Sequence, residues 1–200
     1  MFEISDERLG SQLNFLSAID DLKGIERASL LISSRRRENP AEHSWHIAMA
    51  VLILSEYSDE DIDIGRTLQM VLIHDLVEIV SGDNPVYENF PIEQQLSMER
   101  KGLQEILSKL PPNQAKNLEQ LWEEFTNSST AEARFAQAMD RIIPLIQNVA
   151  SSGATWKSLA RTPKPEEVKR RNSPISNSSE HLWDAVCSLI DKAEKDKLLG

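Results

Sequence analysis

The chain has 200 residues, of which 22 are Lys or Arg and 32 are Asp or Glu, for a formal charge of −10. That length suits one domain with a sizeable core, and 40% hydrophobic with 27% charged residues is ordinary for a soluble globular protein. The acidic balance argues against an extended surface for a nucleic-acid polymer or an anionic membrane, but not against a small phosphorylated substrate, for which a metal and one or two arginines supply local positive charge.

Read in chain order, Ser5 caps a first helix with Asp6 and Glu7 in its first turn. Leu9, Leu13, Leu16 and Ile19 form its apolar stripe, and Gly24 ends it. Ile25 to Ile32 reads as a short helix, and Ser33 to Arg37 as a polar connection. Asn39, Pro40 and Glu42 then make a strong start signal, a cap with proline at the first helical position and an acid at the third. The helix is predicted to reach about Tyr57, with His43 in its first turn.

Asp61 or Asp63 caps a helix carrying His74-Asp75, which Gly82 stops and the loop Asp83-Asn84-Pro85 follows. Further helices are predicted from Pro91 to about Leu110, from Asn113 to Phe125, and from Ala131 to about Ala150 with Thr130 as cap. The last of these contains Asp140, and the ring of Pro144 presses on its carbonyl. Residues 161–176, rich in charge and proline, read as a loop. Asn177 with Glu180 resembles a capping box for a final amphipathic helix over 178–197. The expectation is one all-α domain over residues 1–200.

The single cysteine, Cys187, admits no intrachain disulfide and suits a reducing compartment. The stretch Met1 to Glu7 lacks a basic segment followed by an apolar run, so no secretory signal is expected. The longest apolar run, Ile47 to Leu54, is far too short to span a bilayer. A soluble cytoplasmic protein is the expected class.

His74 and Asp75 lie inside the apolar segment Ile64 to Val80. A charged pair there costs several kcal/mol unless it is paired or binds a metal. Glu78 follows one helical turn later, sharing a face with His74. A bare His-Asp dipeptide also occurs on ordinary helix surfaces, so this context is what favours a metal site. His43 is the better second imidazole. His46 reads as a supporting or buried histidine and His181 as a surface one. Asp140 is either a ligand or an ordinary helix acid paired with Arg141 or Arg134. Mixed nitrogen and oxygen donors suit manganese, iron, cobalt, nickel or zinc better than calcium, and magnesium stays among the candidate ions. Glu78 is placed to orient water or carry a proton, or else to make a salt bridge. Arg27 and the run Arg35-Arg36-Arg37 are candidate phosphate clamps, the run being otherwise a solvated basic loop with at most one member facing the site. The four tryptophans read as core or interface residues.

The segments Leu22-Lys23-Gly24-Ile25-Glu26-Arg27 and Arg37-Glu38-Asn39-Pro40-Ala41-Glu42-His43-Ser44-Trp45 resemble the opening of the HD-domain metal-dependent phosphohydrolases, in their 5′-deoxynucleotidase-like and HD domain-containing protein 2-like group. His74-Asp75-Leu76-Val77-Glu78 with Ser81-Gly82-Asp83 resembles the central motif, and Leu121 to Phe125 and Glu132 to Asp140 resemble later helices. The resemblance implies an all-α HD-domain helical bundle, often a homodimer. It implies a divalent metal on His43, His74, Asp75 and Asp140, a catalytic Glu78, and substrate contacts at Arg27, Asp83, Asn84 and Pro85. The implied activity is removal of phosphate from a small nucleotide, most simply a nucleoside 5′-monophosphate. The alternatives are another phosphorylated metabolite, or a non-catalytic domain binding metal or nucleotide. Ala28 stands where the group's deoxynucleotidase carries tryptophan.

Overall fold

The computed structural model describes residues 4–82 and 92–200. Helix α1, Glu7–Ala18, starts at Asp6, whose carboxylate accepts the Leu9 N–H at 3.0 Å, so the cap lies one residue beyond the expected Ser5. A 3₁₀ turn, Ile19–Gly24, ends this arm. The short helix expected from Ile25 to Ile32 does not form. The chain there folds back on itself instead: the Arg27 N–H donates to the Glu38 carbonyl, the Glu38 N–H donates to the Ser29 carbonyl, and Leu30 bridges Arg37 antiparallel. Arg35 takes φ 57° at the bend. This pairing satisfies backbone groups that a helix would otherwise have had to satisfy.

Helix α2, Pro40–Leu54, has the expected capping box, with Asn39 accepting from the Glu42 N–H and Glu42 reaching back to the Asn39 N–H. A 3₁₀ turn, Ser55–Tyr57, prolongs it. Helix α3, Ile64–Ile73, is capped by Asp63 rather than Asp61. The predicted continuous helix through His74 and Glu78 is broken: a 3₁₀ turn, His74–Val77, separates α3 from α4, Glu78–Ser81. Helices α5, Ile92–Leu107, and α6, Pro112–Asn127, follow. Helix α7, Ala131–Ala150, is capped by Thr130 and carries Pro144 inside it without a break.

Past α8, Ala154–Ser158, the expected loop over 161–176 contains helix α9, Pro165–Asn172, and a 3₁₀ turn, Ser173–Asn177. The charges that suggested a loop are sorted along this helix. Glu166 and Glu167 lie in the first turn and Lys169, Arg170 and Arg171 in the last, with Pro165 at the start, which is the order the helix dipole favours. The final helix, α10, Glu180–Lys195, is capped by Ser179, not Asn177.

Helix α7 is the centre of the bundle. It buries Phe135, Ala136, Met139, Ile142 and Ile143 among residues that include Ile47 and Val51 of α2 and Met70 and Val71 of α3. Among the described residues no strand forms, so the fold is all-α, and no helix is long and apolar enough to cross a membrane. Helix α5 supports the 3₁₀ turn and α4 through Gly102. A Cβ at that position would lie 2.9 Å from the Val77 carbonyl oxygen and 3.2 Å from Val80 Cβ. Alanine gains roughly 1 kcal/mol in helix propensity over glycine, but overpacking against a backbone carbonyl costs about 1–3 kcal/mol. Gly102→Ala is expected to lower Tm by several degrees in thermal unfolding followed by circular dichroism. An unchanged or raised Tm would show that α5 yields at this contact.

Candidate metal centre

Five elements deliver charged or ligating side chains to one place. His43 comes from the first turn of α2, His74 and Asp75 from the 3₁₀ turn, Glu78 from the start of α4, Asp140 from the middle of α7, and Arg27 with Glu38 from the folded-back segment. His43, His74 and Asp75 are buried and offer ligating atoms all within 4.8 Å of one another. Asp140 Oδ1 lies 2.8 Å from His43 Nε2 and 3.8 Å from His74 Nε2, and His74 Nε2 lies 3.0 Å from Asp75 Oδ1. The structure therefore brings His43, His74, Asp75 and Asp140 together.

The local backbone aims these groups. His74 Nδ1 lies 2.9 Å from the Val71 carbonyl, which places the proton on Nδ1 and leaves Nε2 facing the carboxylates with its lone pair. That Nε2 is buried and has no hydrogen-bond partner. A carbonyl can only accept, so neutral His74 presents a ligand atom to the cluster. His43 is turned in the same way from its other side: Nδ1 stands 3.4 Å from Glu38 Oε2, and Gln147 Nε2 donates to Glu38 Oε1 at 2.6 Å. A carboxylate behind an imidazole, itself held by an amide, is the support that fixes ring orientation at metal sites.

The electrostatics are those of a tightly packed set of opposite charges. Burial raises the Asp75 carboxyl, but the charges of His74 and Arg27 outweigh it and hold it below the ordinary range. Partial burial works the same way on Asp140, and its hydrogen bond to His43 with the His74 charge prevails. Burial lowers both imidazoles. For His43 the hydrogen bond to Asp140 and the nearby Glu38 carboxylate win, for His74 the charge of Asp75, and both stand above the usual imidazole value. Glu38 is pushed up by burial and brought below its ordinary value by His43, Gln147 and Arg27. Two imidazoles and two carboxylates with an orphaned, inward-facing Nε2 fit a divalent ion in donor type and charge. Because an ion requires neutral imidazoles, its binding here releases protons.

The remaining candidates are placed as follows. Arg27 Nη1 donates to Asp75 Oδ2 at 2.7 Å and to Glu78 Oε1 at 3.5 Å, and its Nε lies 3.7 Å from Glu38. Its charge is thus engaged by carboxylates of the cluster. Arg36 is paired with Glu42, and Arg37 donates to the Arg27 and Ala28 carbonyls, so neither reaches the cluster, while Arg35 is exposed. His46 stands against Trp45, and His181 stacks on Tyr57 at 5.0 Å. Asp83, Asn84 and Pro85 lie outside the described residues. Trp122 is core as expected, and Trp45 is 65% exposed.

Sequence reasoning missed Glu38. Its position before a helix cap suggests an exposed residue, and its partner Gln147 is 109 positions away. It also missed a cavity of about 170 Å³ that adjoins the cluster. Arg27, Ala28 and Asp140 form one side of it, and α7, α8 and α9 contribute Arg141, Trp156 and Arg171 among others. Asp140 is the shared wall, with 32% of its side chain exposed.

A family model described as the HD domain matches residues 19–183. The crystal structure of a "predicted metal-dependent phosphohydrolase" from Magnetospirillum magnetotacticum MS-1 is 40% identical and superposes with a TM-score of 0.92 over 100% of both chains. The human protein named 5′-deoxynucleotidase HDDC2 is 28% identical over 68% of this chain, and the Schizosaccharomyces pombe protein named 5′-deoxynucleotidase hdd1 is 27% identical over 66% of it. The match spans 66% of the human protein and 65% of its Bos taurus counterpart, just under two thirds of their lengths.

Proposed function

The chain belongs to the HD-domain family, and from that premise we propose that it is a divalent-metal-dependent phosphohydrolase acting on a nucleoside 5′-monophosphate. The observation that carries this reading is the convergence of His43, His74, Asp75 and Asp140 around the orphaned His74 Nε2. These four would hold the ion. When bound, a divalent ion supplies Lewis-acid polarisation of a phosphoryl oxygen and acidifies water.

The rest is done by the chain. Hydrolysis places the oxygen of water on phosphorus, breaks the bond to the 5′ oxygen, and returns a proton to that departing oxygen. Glu78 is the group proposed to take and pass this proton. Arg27 ties Glu78 to Asp75 and keeps both carboxylates facing the cluster. Trp156, Leu159 and Pro144 wall the adjoining cavity and would exclude water from the bound nucleoside. Asp83, Asn84 and Pro85 complete the proposed substrate contacts on the sequence resemblance alone. The same proposal includes one HD domain over the whole chain, a cytoplasmic location in keeping with the lone Cys187, and a homodimer. Exposed Trp45, Leu52 and Ile53 on α2 support the dimer, which light scattering on the purified chain would test.

The test is turnover of matched deoxyribo- and ribonucleoside 5′-monophosphates with each of manganese, cobalt, iron, nickel, zinc and magnesium. Release of inorganic phosphate is expected only with a divalent ion. No turnover on the whole panel by protein carrying stoichiometric metal would sink the reading. Ala28 lines the cavity with a methyl group where an aromatic wall would select the sugar. Losing one such apolar contact relaxes discrimination by roughly 10–200-fold, so kcat/KM for the two sugar series is expected to differ by less than about 200-fold. A preference of order a thousandfold would mean that another residue selects the sugar.

A further inference from the structure

The cavity beside the cluster has two chemically distinct ends. Arg27 and Asp140 line it and also belong to the cluster, so they mark the end at which a phosphate reaches the proposed metal ligands and Arg27. At about 170 Å³ the cavity is smaller than the roughly 300–1,000 Å³ of pockets that enclose a drug-sized ligand. It has room for one ring system and leaves the phosphate outside, at the cluster. Trp156 of α8 lines it and is firmly held: its N–H donates to Asn148 Oδ1 at 3.1 Å, and Thr155 Oγ1 accepts the Leu30 N–H at 3.0 Å. Ala28 adds only a methyl group to the same lining. Beyond Arg27 and Asp140 the ionisable residues of the lining are Arg141 and Arg171, with no acid among the described residues. Arg141 is half-buried, and among those residues its Nη1 donates to the Arg171 carbonyl at 3.1 Å while its Nε is buried without a partner. Arg36, Arg66, Arg134 and Arg161, by contrast, each pair with a glutamate.

We propose that this cavity receives the base of the nucleotide, and that Arg141 selects bases with an exocyclic carbonyl, at position 6 of a purine or position 4 of a pyrimidine, over bases with an amino group there. This rests on the phosphohydrolase reading for the nucleotide and on the cavity for the choice of base. Arginine has five N–H donors and no acceptor. A carbonyl oxygen accepts from it, whereas an amino group at the same ring position sets donor against donor and leaves both unpaired. A site built to hydrogen-bond one group rejects the analogue that lacks it for this reason. A carbonyl is also what Arg141 already binds through Nη1. Trp156 offers a face on which any base stacks, because every base has a π-face. Trp156 therefore supplies affinity and Arg141 the discrimination. The phosphate stays with the cluster and Arg27, and Arg141, next in sequence to Asp140 on α7, stands just past that end.

The experiment uses the metal-loaded full-length chain and four uncharged probes, with binding measured by calorimetry. Inosine and adenosine differ at position 6 by a carbonyl against an amine, and uridine and cytidine differ at position 4 in the same way. In at least one pair the carbonyl member is expected to bind about 10–100-fold more tightly, the range for a charge-assisted hydrogen bond. Arg141→Gln, whose amide both donates and accepts, should weaken the carbonyl member and shrink the ratio to about threefold or less. Arg141→Lys, which keeps the charge and the donors, should retain part of the preference. Ala28→Phe, which fills the cavity from its lining, should weaken every probe at least about tenfold and leave metal content unchanged. The matching 5′-monophosphates should carry the wild-type ratio into kcat/KM. Equal affinities within both pairs, or no binding of any probe, would overturn the proposal. So would a ratio that survives Arg141→Gln, or unchanged binding in Ala28→Phe, which would put the base elsewhere. Parallel loss of metal and of all four probes in both Arg141 variants would make Arg141 a strut between α7 and α9, and would overturn it too. A nucleotide panel without turnover would defeat the phosphohydrolase reading by itself, while the preference among nucleosides would still locate a base site.

Discussion

His74→Ala is expected to strip the chain of bound metal and reduce phosphate release to the level seen without metal. Its Nδ1 is held by the Val71 carbonyl, so Nε2 has one direction in which to point, toward Asp75 Oδ1 at 3.0 Å and Asp140 Oδ1 at 3.8 Å. Removing the ring deletes a proposed ligand atom, the buried Nε2 that has no hydrogen-bond partner. Partners one layer outside a metal cost about 10–100-fold in affinity when removed, and a direct ligand should exceed that. Metal per chain by mass spectrometry and phosphate release with added manganese or cobalt provide the measurements. His74→Gln guards against a collapse caused by the missing volume, since it fills most of the space and places an amide where the imidazole stood. If either variant keeps stoichiometric metal and activity within tenfold of wild type, His74 is not a ligand.

The parts of this site that a sequence reader can see are those fixed by local rules. The capping box at Asn39 places His43 in the first turn of α2, and the apolar surroundings of His74-Asp75 mark a pair that must be compensated. Thr130 sets the start of α7 and hence the position of Asp140 on it. What stays hidden is decided by partners far along the chain. One exception is local: the break after Ile73 accompanies the bond from the His74 ring to the Val71 carbonyl three residues back, which a periodic pattern does not carry. Glu38 looks like a solvated residue until Gln147 and His43 close on it. Helix α9 was read as a loop because charge and proline usually signal one, yet here their order serves the helix dipole. The same error hid the cavity, one wall of which is α9. Arg27 adds a further case: residue type suggests a phosphate clamp, and the fold sets Asp75, Glu78 and Glu38 beside it, neighbours that its position in the chain does not reveal.

Glu78→Gln is expected to keep the metal and lower kcat by roughly 10²–10⁴, the usual span for removing a general acid or base. Glu78 opens α4 directly after the 3₁₀ turn that carries His74 and Asp75, so it shares their rigid support without belonging to the set of groups closest to His74 Nε2. Its Oε1 lies 3.5 Å from Arg27 Nη1, the same nitrogen that donates to Asp75 Oδ2. That shared donor holds the carboxylate at the edge of the cluster, where it can accept a proton from water and release it to a departing oxygen. Glutamine keeps the shape and one oxygen acceptor but cannot take a proton, so the loss should appear in kcat with KM and metal content little changed. A salt-bridge role predicts a different pattern. Glu78→Gln would then lower Tm and leave kcat near wild type. Turnover near wild type with metal bound would make Glu78 a partner of Arg27 and nothing more.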